Sequence, residues 1–206
     1  MTDSPDTVSL QYPGGTASFP VVPSVEGASS IDLSTLTKQT GYTALDPGFV
    51  NTASTKSKIT FIDGENGVLR YRGYSIDDIA ANSTFLEVAW LLIYGNLPSA
   101  SELAEFDDRI RHHTLLHEDL KRLFDALPHN AHPMSVLSAA VSAMSTYYGD
   151  SLSVHDPEQI EMSTIRLLAK LPVIAAYAHK KSVGQAFLYP DNSKGFVENF
   201  LWLNFG

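Results

Sequence analysis

Hydrophobic and polar positions follow a short period at the start of the chain and a helical one afterwards. Residues 1–58 are poor in helix signals and rich in Gly, Pro, Ser and Thr. Within them, Thr7–Tyr12 and Ala17–Val22 flank Pro13, Gly14 and Gly15, which predicts a hairpin. A second strand pair is expected at Lys58–Ile62 and Val68–Arg72. These are joined by Asp63-Gly64-Glu65-Asn66-Gly67, whose glycines can supply the positive φ of a tight turn.

From Ser75 onward the period changes. Thr84 stands three residues before Glu87, and Ser99 three before Glu102; each is a capping-box pattern ahead of an apolar-periodic run, so each marks a helix start. Further helices are predicted over 100–115, 117–127 and 133–148. The last opens on Pro133, where a missing N–H is harmless, and Gly149 is placed to close it. Asp156-Pro157 begins a long run to Ser182 with Gly184 beyond it. Pro172 is expected to kink that run, since it removes one backbone bond, and two helical pieces fit as well as one. The chain then ends on Phe200, Leu201, Trp202, Leu203 and Phe205, which read either as a helix docked on its own core or as apolar surface awaiting a following element. The fold class is therefore mainly α, behind a small β-hairpin-rich amino-terminal segment.

Composition adds limits. With 206 residues, 44% hydrophobic and 18% charged, the chain is globular in character. A domain of this size buries roughly 70% of the surface its unfolded chain exposes, so a staple is not required. The absence of cysteine excludes thiolate zinc sites and a cysteine nucleophile, and suits a reducing compartment. The opening residues have neither a basic end nor an apolar run of the signal-peptide kind. The longest mainly apolar stretch, Phe85–Tyr94, is interrupted by Glu87 and falls short of the ~20 residues that span a bilayer. A cytoplasmic location is expected, with no membrane partner. A formal charge of −9 disfavours nucleic acid, although a cluster such as His179-Lys180-Lys181 can still make a local basic pocket.

Most candidate chemistry reads as structural. His113 and His117 are four apart and His129 and His132 three apart, both spacings found in metal sites. Thr114 rather than Glu follows His113, and no third ligand is evident, so helix capping or polar packing is the expected role and no metal is assigned. Neither dinucleotide nor P-loop fingerprints occur, and there is no G-x-S-x-G elbow. Asp77-Asp78 and Asp107-Asp108 point in different directions on a helix and are expected in solvent. Ser138, Ala139, Ser142 and Ala143 recur at helical spacing, which permits close approach of another backbone, inside the monomer or across a subunit interface.

Six segments, in order, resemble the citrate synthase family, with an actinobacterial flavour: Gly67-Val-Leu-Arg-Tyr-Arg-Gly-Tyr-Ser-Ile76, Leu91-Leu-Ile-Tyr-Gly-Asn-Leu-Pro98, His117-Glu-Asp-Leu120, Asn130-Ala-His-Pro-Met134, Ile165-Arg-Leu-Leu-Ala-Lys-Leu-Pro172 and Lys181-Ser-Val-Gly-Gln185. The resemblance runs from about residue 8 to the end and corresponds to the amino-terminal half of such enzymes. It implies a β-rich entry segment over residues 1–72, the helical part of the large domain over 73–206, and no small domain. The implied activity is that of an acyltransferase of the tricarboxylic acid cycle, condensing acetyl-CoA with oxaloacetate to citrate; no cofactor is implied. A 2-methylcitrate synthase, acting on propionyl-CoA, and a non-catalytic dimerisation or interaction fragment are the alternatives.

Family members use two histidines and an aspartate, in motifs of the form H-E-Q-N, H-G-G-A-N and G-H-R-V and a later aspartate segment. None of these motifs occurs in the 206 residues, so no catalytic residue is assigned and the chain alone is expected to be inactive. The resemblance further implies a homodimer, with the helices matching 133–148 and 165–182 at the interface. Tyr148, Arg166 and Lys170 match residues through which some bacterial relatives bind NADH as an effector. His112 stands where those relatives carry an arginine. Without a ligand, Arg166 and Lys170 are expected to form a surface pair held by Glu118 or Asp119.

Overall fold

A computed structural model describes residues 6–206; the expectation about the opening of the chain falls partly on residues 1–5, outside the described residues. The chain divides into two compact units. One takes the chain up to Thr84 together with Leu91–Asn96, and the other takes Phe85–Trp90 and Leu97–Gly206.

The first unit is built on two three-stranded antiparallel sheets. The predicted hairpin forms from β1 (Thr7–Tyr12) and β2 (Gly15–Val22), and β3 (Ser30–Ile31) pairs with the far end of β2. Its turn is tighter than the sequence suggests, with Tyr12 opposite Gly15. A Cβ on Gly14 would stand 2.6 Å from the Tyr12 ring, so a larger residue there would have to displace that ring. One short helix, α1 (Leu36–Thr40), lies in the stretch read as helix-poor. It is stabilised by packing rather than propensity: Leu36 is buried with Ala17 and Phe19, and Gly41, at φ 77°, donates its N–H to Thr37 O at 2.9 Å.

The second strand pair is β4 (Thr60–Asp63) with β5 (Val68–Tyr71), extended by β6 (Tyr74–Ser75). It sits slightly later than predicted because Asp63 organises the turn, accepting from the backbone N–H groups of Glu65 and Asn66 at 3.1 Å each. The strand ends at Arg72, which takes φ 51°. Its guanidinium donates to Leu92 O at 2.7 Å, near the end of α3 (Phe85–Tyr94), beside Gly95 at φ 96°. α2 (Ile76–Asn82) starts where expected, with Ser75 Oγ accepting from Asp77 N.

In the second unit α4 (Ala100–His112) begins with the predicted capping box, Ser99 and Glu102 bonding reciprocally. The expected helix over 117–127 is a 3-10 turn, Glu118–Leu120, running into α5 (Lys121–Ala126). α6 (Pro133–Met144) stops five residues before Gly149 rather than at it. Ser145 Oγ donates to Ser142 O and Thr146 Oγ1 to Ala143 O, 2.7 Å each, and these local bonds draw the chain into a 3-10 turn at Ser145–Tyr147. α7 (Pro157–Ser182) is one unbroken helix of 26 residues with Pro172 inside it. Its C-terminus closes as predicted around Gly184, at φ 72°. The last helix, α8 (Phe196–Phe205), docks on α7 and buries Leu203 at 1% exposure, leaving Leu201 and Phe205 outside.

Two apolar clusters hold this unit together. Phe124, Val136, Ala140, Met144, Val173 and Tyr177 form the larger, in which the Tyr177 and Phe187 rings stack with centroids 4.4 Å apart. Leu86, Phe106, Ile110, Ile165 and Ala169 form the other, with Trp90 edge-on to Phe106. On α6 the buried row is Val136, Ala140 and Met144. The small-residue stripe lies beside it, with Ser138 and Ser142 exposed and Ala139 and Ala143 half-buried. Eight α-helices and two small sheets make the described residues mainly α. Among them no helix is long and apolar enough to cross a membrane.

Candidate functional site

Arg166 and Lys170 stand four residues apart on α7 and so share a face. Tyr148 reaches that face from the segment after α6. The Arg166 guanidinium carbon lies 4.4 Å from the centroid of the Tyr148 ring and Lys170 Nζ 5.4 Å from it, so the structure brings the three together, both cations over one aromatic face.

Their remaining partners define what the cluster can do. Lys170, only 3% exposed, donates to His113 O at 2.6 Å and also to Leu115 O. Two of its three N–H groups therefore hold the turn that follows α4. Burial, with Arg166 as a second cause, pushes the Lys170 ammonium down from 10.5 to about 8. Arg166 donates to Ser151 Oγ and has Asp150 Oδ1 at 3.6 Å. Burial raises the Tyr148 phenol, with the Arg166 charge opposing that shift. The cluster is thus an internally committed cation pair, and an external anion must compete with Ser151 and two backbone carbonyls.

The structure joins Tyr148, Arg166 and Lys170 as the sequence groups them, but the carboxylates expected to hold the cations serve other groups. Glu118 accepts from Tyr189 and pairs with Lys121, and Asp119 pairs with Arg122. His112 turns back on its own helix, Nδ1 lying 2.8 Å from Asp108 O. The partners that sequence reasoning misses are Asp150, Ser151 and the carbonyls of residues 113 and 115. Ser151 has a signal in its position three residues after Tyr148, whereas backbone carbonyls have none.

The other histidines take the capping role expected of them. His117 Nδ1 accepts from Asp119 N and His132 Nδ1 from Met134 N, each at 3.2 Å, while the ring stack on Tyr147 fixes His117 further. His113 Nδ1 lies 2.7 Å from Arg109 O and His129 Nδ1 2.7 Å from Lys181 O. A cavity of about 190 Å³ opens between the α5–α6 connection and the last turns of α7, walled by Phe124, Leu127, Ala131, Val136 and Ala178. Among the described residues lining it there is no carboxylate; its polar side chains are His129, His179, Lys181 and Ser182.

The family model described as "Citrate synthase, C-terminal domain" matches residues 48–206. Citrate synthase 1 of Mycobacterium tuberculosis is 61% identical over 206 residues, covering 100% of this chain and 48% of the relative. The citrate synthase of Corynebacterium glutamicum is 50% identical over 197 residues, covering 96% of this chain and 45% of its own length. Among solved structures, citrate synthase from Pyrobaculum aerophilum superposes with a TM-score of 0.70 at 30% identity, covering 100% of this chain and 46% of that one. The chain spans about half the length of the relatives it matches. With a family match over residues 48–206 and a Mycobacterium tuberculosis relative 61% identical across all 206 residues of this chain, the chain belongs to the citrate synthase family.

Proposed function

We propose that these 206 residues form the amino-terminal half of a polypeptide that condenses acetyl-CoA with oxaloacetate to give citrate. The observation that carries this reading is the 61% identity to a citrate synthase across the entire chain. The reaction requires a weakly acidic methyl group to lose a proton near neutral pH, which takes a placed base and a hydrogen-bonded enol oxygen together. The histidine motifs that serve this purpose in the family are absent from the sequence. The chain's part is therefore the helical body, while the acid–base groups belong to the other half of the family's fold. Tyr148, Arg166 and Lys170 serve as a structural clasp with at most weak affinity for an anionic effector, and α6 supplies a subunit contact.

The test is a chimera in which this chain replaces the matching 48% of the Mycobacterium tuberculosis enzyme. Free-thiol release from acetyl-CoA with oxaloacetate is expected from the chimera and not from the 206-residue chain. A folded chimera that works only on propionyl-CoA would favour the 2-methylcitrate reading, and a folded chimera inactive on both would overturn the proposal.

A further inference from the structure

β1 is the outer strand of a sheet whose order is β1-β2-β3. Antiparallel neighbours alternate between bonded and non-bonded pairs, so one bond fixes the phase of the whole ladder. Val21 N donates to Asp6 O at 2.7 Å, one residue before β1 begins. Pro20, which has no N–H, stands opposite Thr7, and its carbonyl accepts from Asp32 N at 2.9 Å on the β3 side. Val8, Leu10 and Tyr12 therefore direct their backbone groups at β2. The N–H and C=O groups of Thr7, Ser9 and Gln11 point off the edge of the sheet, where no strand among the described residues meets them.

Open strand edges invite pairing, and soluble proteins blunt them with charge, proline, a bulge or brevity. The other outer strands follow that rule: β3 and β6 have two residues each, and β4 carries Asp63. β1 has six residues, a register with β2 unbroken from Thr7 to Tyr12, and neither proline nor a charged side chain between those limits. Its two faces differ. Thr7, Ser9 and Gln11 are polar and exposed, whereas Val8 and Leu10 share the face on which Phe19 and Ala17 are buried with Leu36. That apolar face is covered at β2 and runs out at the edge, leaving Val8 39% and Leu10 42% exposed.

We propose that this edge recognises a second copy of the chain: β1 pairs antiparallel with the β1 of the other copy about a two-fold axis at Ser9, joining two three-stranded sheets into one. The outward groups set the register. Bonded pairs must form among Thr7, Ser9 and Gln11, and the arrangement that uses all of them sets Ser9 opposite Ser9 and Thr7 opposite Gln11. Val8 then faces Leu10 of the second copy in a non-bonded pair, the closer kind, on the side where both copies bury Phe19. The exposed halves of the apolar faces cover each other. Asp6 falls opposite Tyr12, so no carboxylate meets its own copy, which matters in a chain of net charge −9. This self-complementarity in backbone, apolar contact and charge is what selects a second copy over an unrelated strand. The contact uses no residue of α6 or α8 and is distinct from the subunit contact proposed for α6. A six-residue pairing is small, so the contact is transient by itself, and trapping is the way to measure it.

The experiment is disulfide trapping in the 206-residue chain, which has no cysteine of its own, so an introduced thiol reports a single contact. The Cα atoms of a bonded antiparallel pair lie about 5.5 Å apart, within the span of a disulfide. Ser9→Cys is expected to give a linked dimer on mild oxidation. Gln11→Cys is the control, equally exposed on the same face, with its two copies roughly 13 Å apart in the proposed register. Ser9→Cys should link at least about tenfold faster than Gln11→Cys. Adding Thr7→Cys to Gln11→Cys should restore the link. Ser9→Cys linking no faster than Gln11→Cys would mean random collision, or an edge left to solvent or another strand, and would overturn the proposal. A Thr7→Cys and Gln11→Cys double variant that stays unlinked would overturn it as well.

Discussion

Lys170 Nζ reaches 57 residues back along the chain to donate to the carbonyl of His113, and it does so from a side chain that is 3% exposed. A buried ammonium held by carbonyls makes stability depend on pH in a definite direction. The Lys170 value falls from 10.5 to about 8 on folding, so the unfolded chain binds this proton more tightly. The contribution is fully favourable above pH 10.5 and is lost as the pH falls through about 8. Relative to neutral pH, relief of the buried charge is worth about 3 kcal/mol. The neutral amine still has two N–H groups, enough for both carbonyls, so deprotonation need not release the turn. Urea unfolding between about pH 8 and pH 10.5 is expected to show this rise superimposed on the other titrations, and Lys170→Met should flatten it. An identical slope in the two proteins would contradict the assignment.

The clasp geometry also limits ligand binding at Tyr148, Arg166 and Lys170. An incoming phosphate must displace Ser151 from Arg166 or the carbonyls from Lys170, so the loss of those bonds offsets part of what its own charge-assisted hydrogen bonds gain. NADH binding by calorimetry is expected to be weaker than about 100 μM, which corresponds to a little over about 5 kcal/mol. Arg166→Ala should change it less than it changes stability. Micromolar binding abolished by Arg166→Ala would establish an effector site instead.

Two surfaces favour self-association. Met134 on α6 is 62% exposed beside Ser138 and Ser142, while Leu201 and Phe205 on α8 are 50% and 73% exposed. Each exposed large apolar side chain forgoes up to about 1.5–3 kcal/mol of burial, and soluble monomers seldom leave such residues clustered. Light scattering is expected to show a dimer and larger species. Ala139→Arg, which places a long cation beside the small-residue stripe, should remove the dimer, and Leu201→Lys should reduce the larger species. A monodisperse monomer would oppose both assignments.

Much of this architecture is legible in the sequence because it rests on local chemistry. The Ser99–Glu102 box, the Asp156 cap and the turn at Asp63 to Gly67 are short-range devices, and each appears where its residues predict. α1 escapes a reading of the sequence because five residues carry little propensity signal, and Leu36 finds its reason to be helical only against Ala17 and Phe19. The early end of α6 depends on hydroxyls competing for carbonyls, a contest that composition does not decide. At the candidate site, the i,i+4 spacing of Arg166 and Lys170 is visible, while the groups that occupy them are not. Backbone carbonyls 55 and 57 residues away leave no mark in a sequence. Lys180 belongs to the same class, a lysine 3% exposed whose Nζ donates to the backbone carbonyl of Gly206, 26 residues on, at 3.0 Å, as well as to Gln185 Oε1.

The histidine caps carry a consequence in terms of tautomers. At His117 and His132 the Nδ1 atom receives a backbone N–H, so its lone pair is committed and the neutral ring's proton must sit on Nε2. At His112, His113 and His129 the same atom faces a carbonyl oxygen and must carry the proton itself, leaving the Nε2 lone pair outward. Five rings of one residue type thus divide into two chemically opposite populations, chosen by whether each meets the donor end or the acceptor end of a helix. Nitrogen chemical shifts of the neutral rings should therefore fall into two sets, with His117 and His132 reversed relative to the other three.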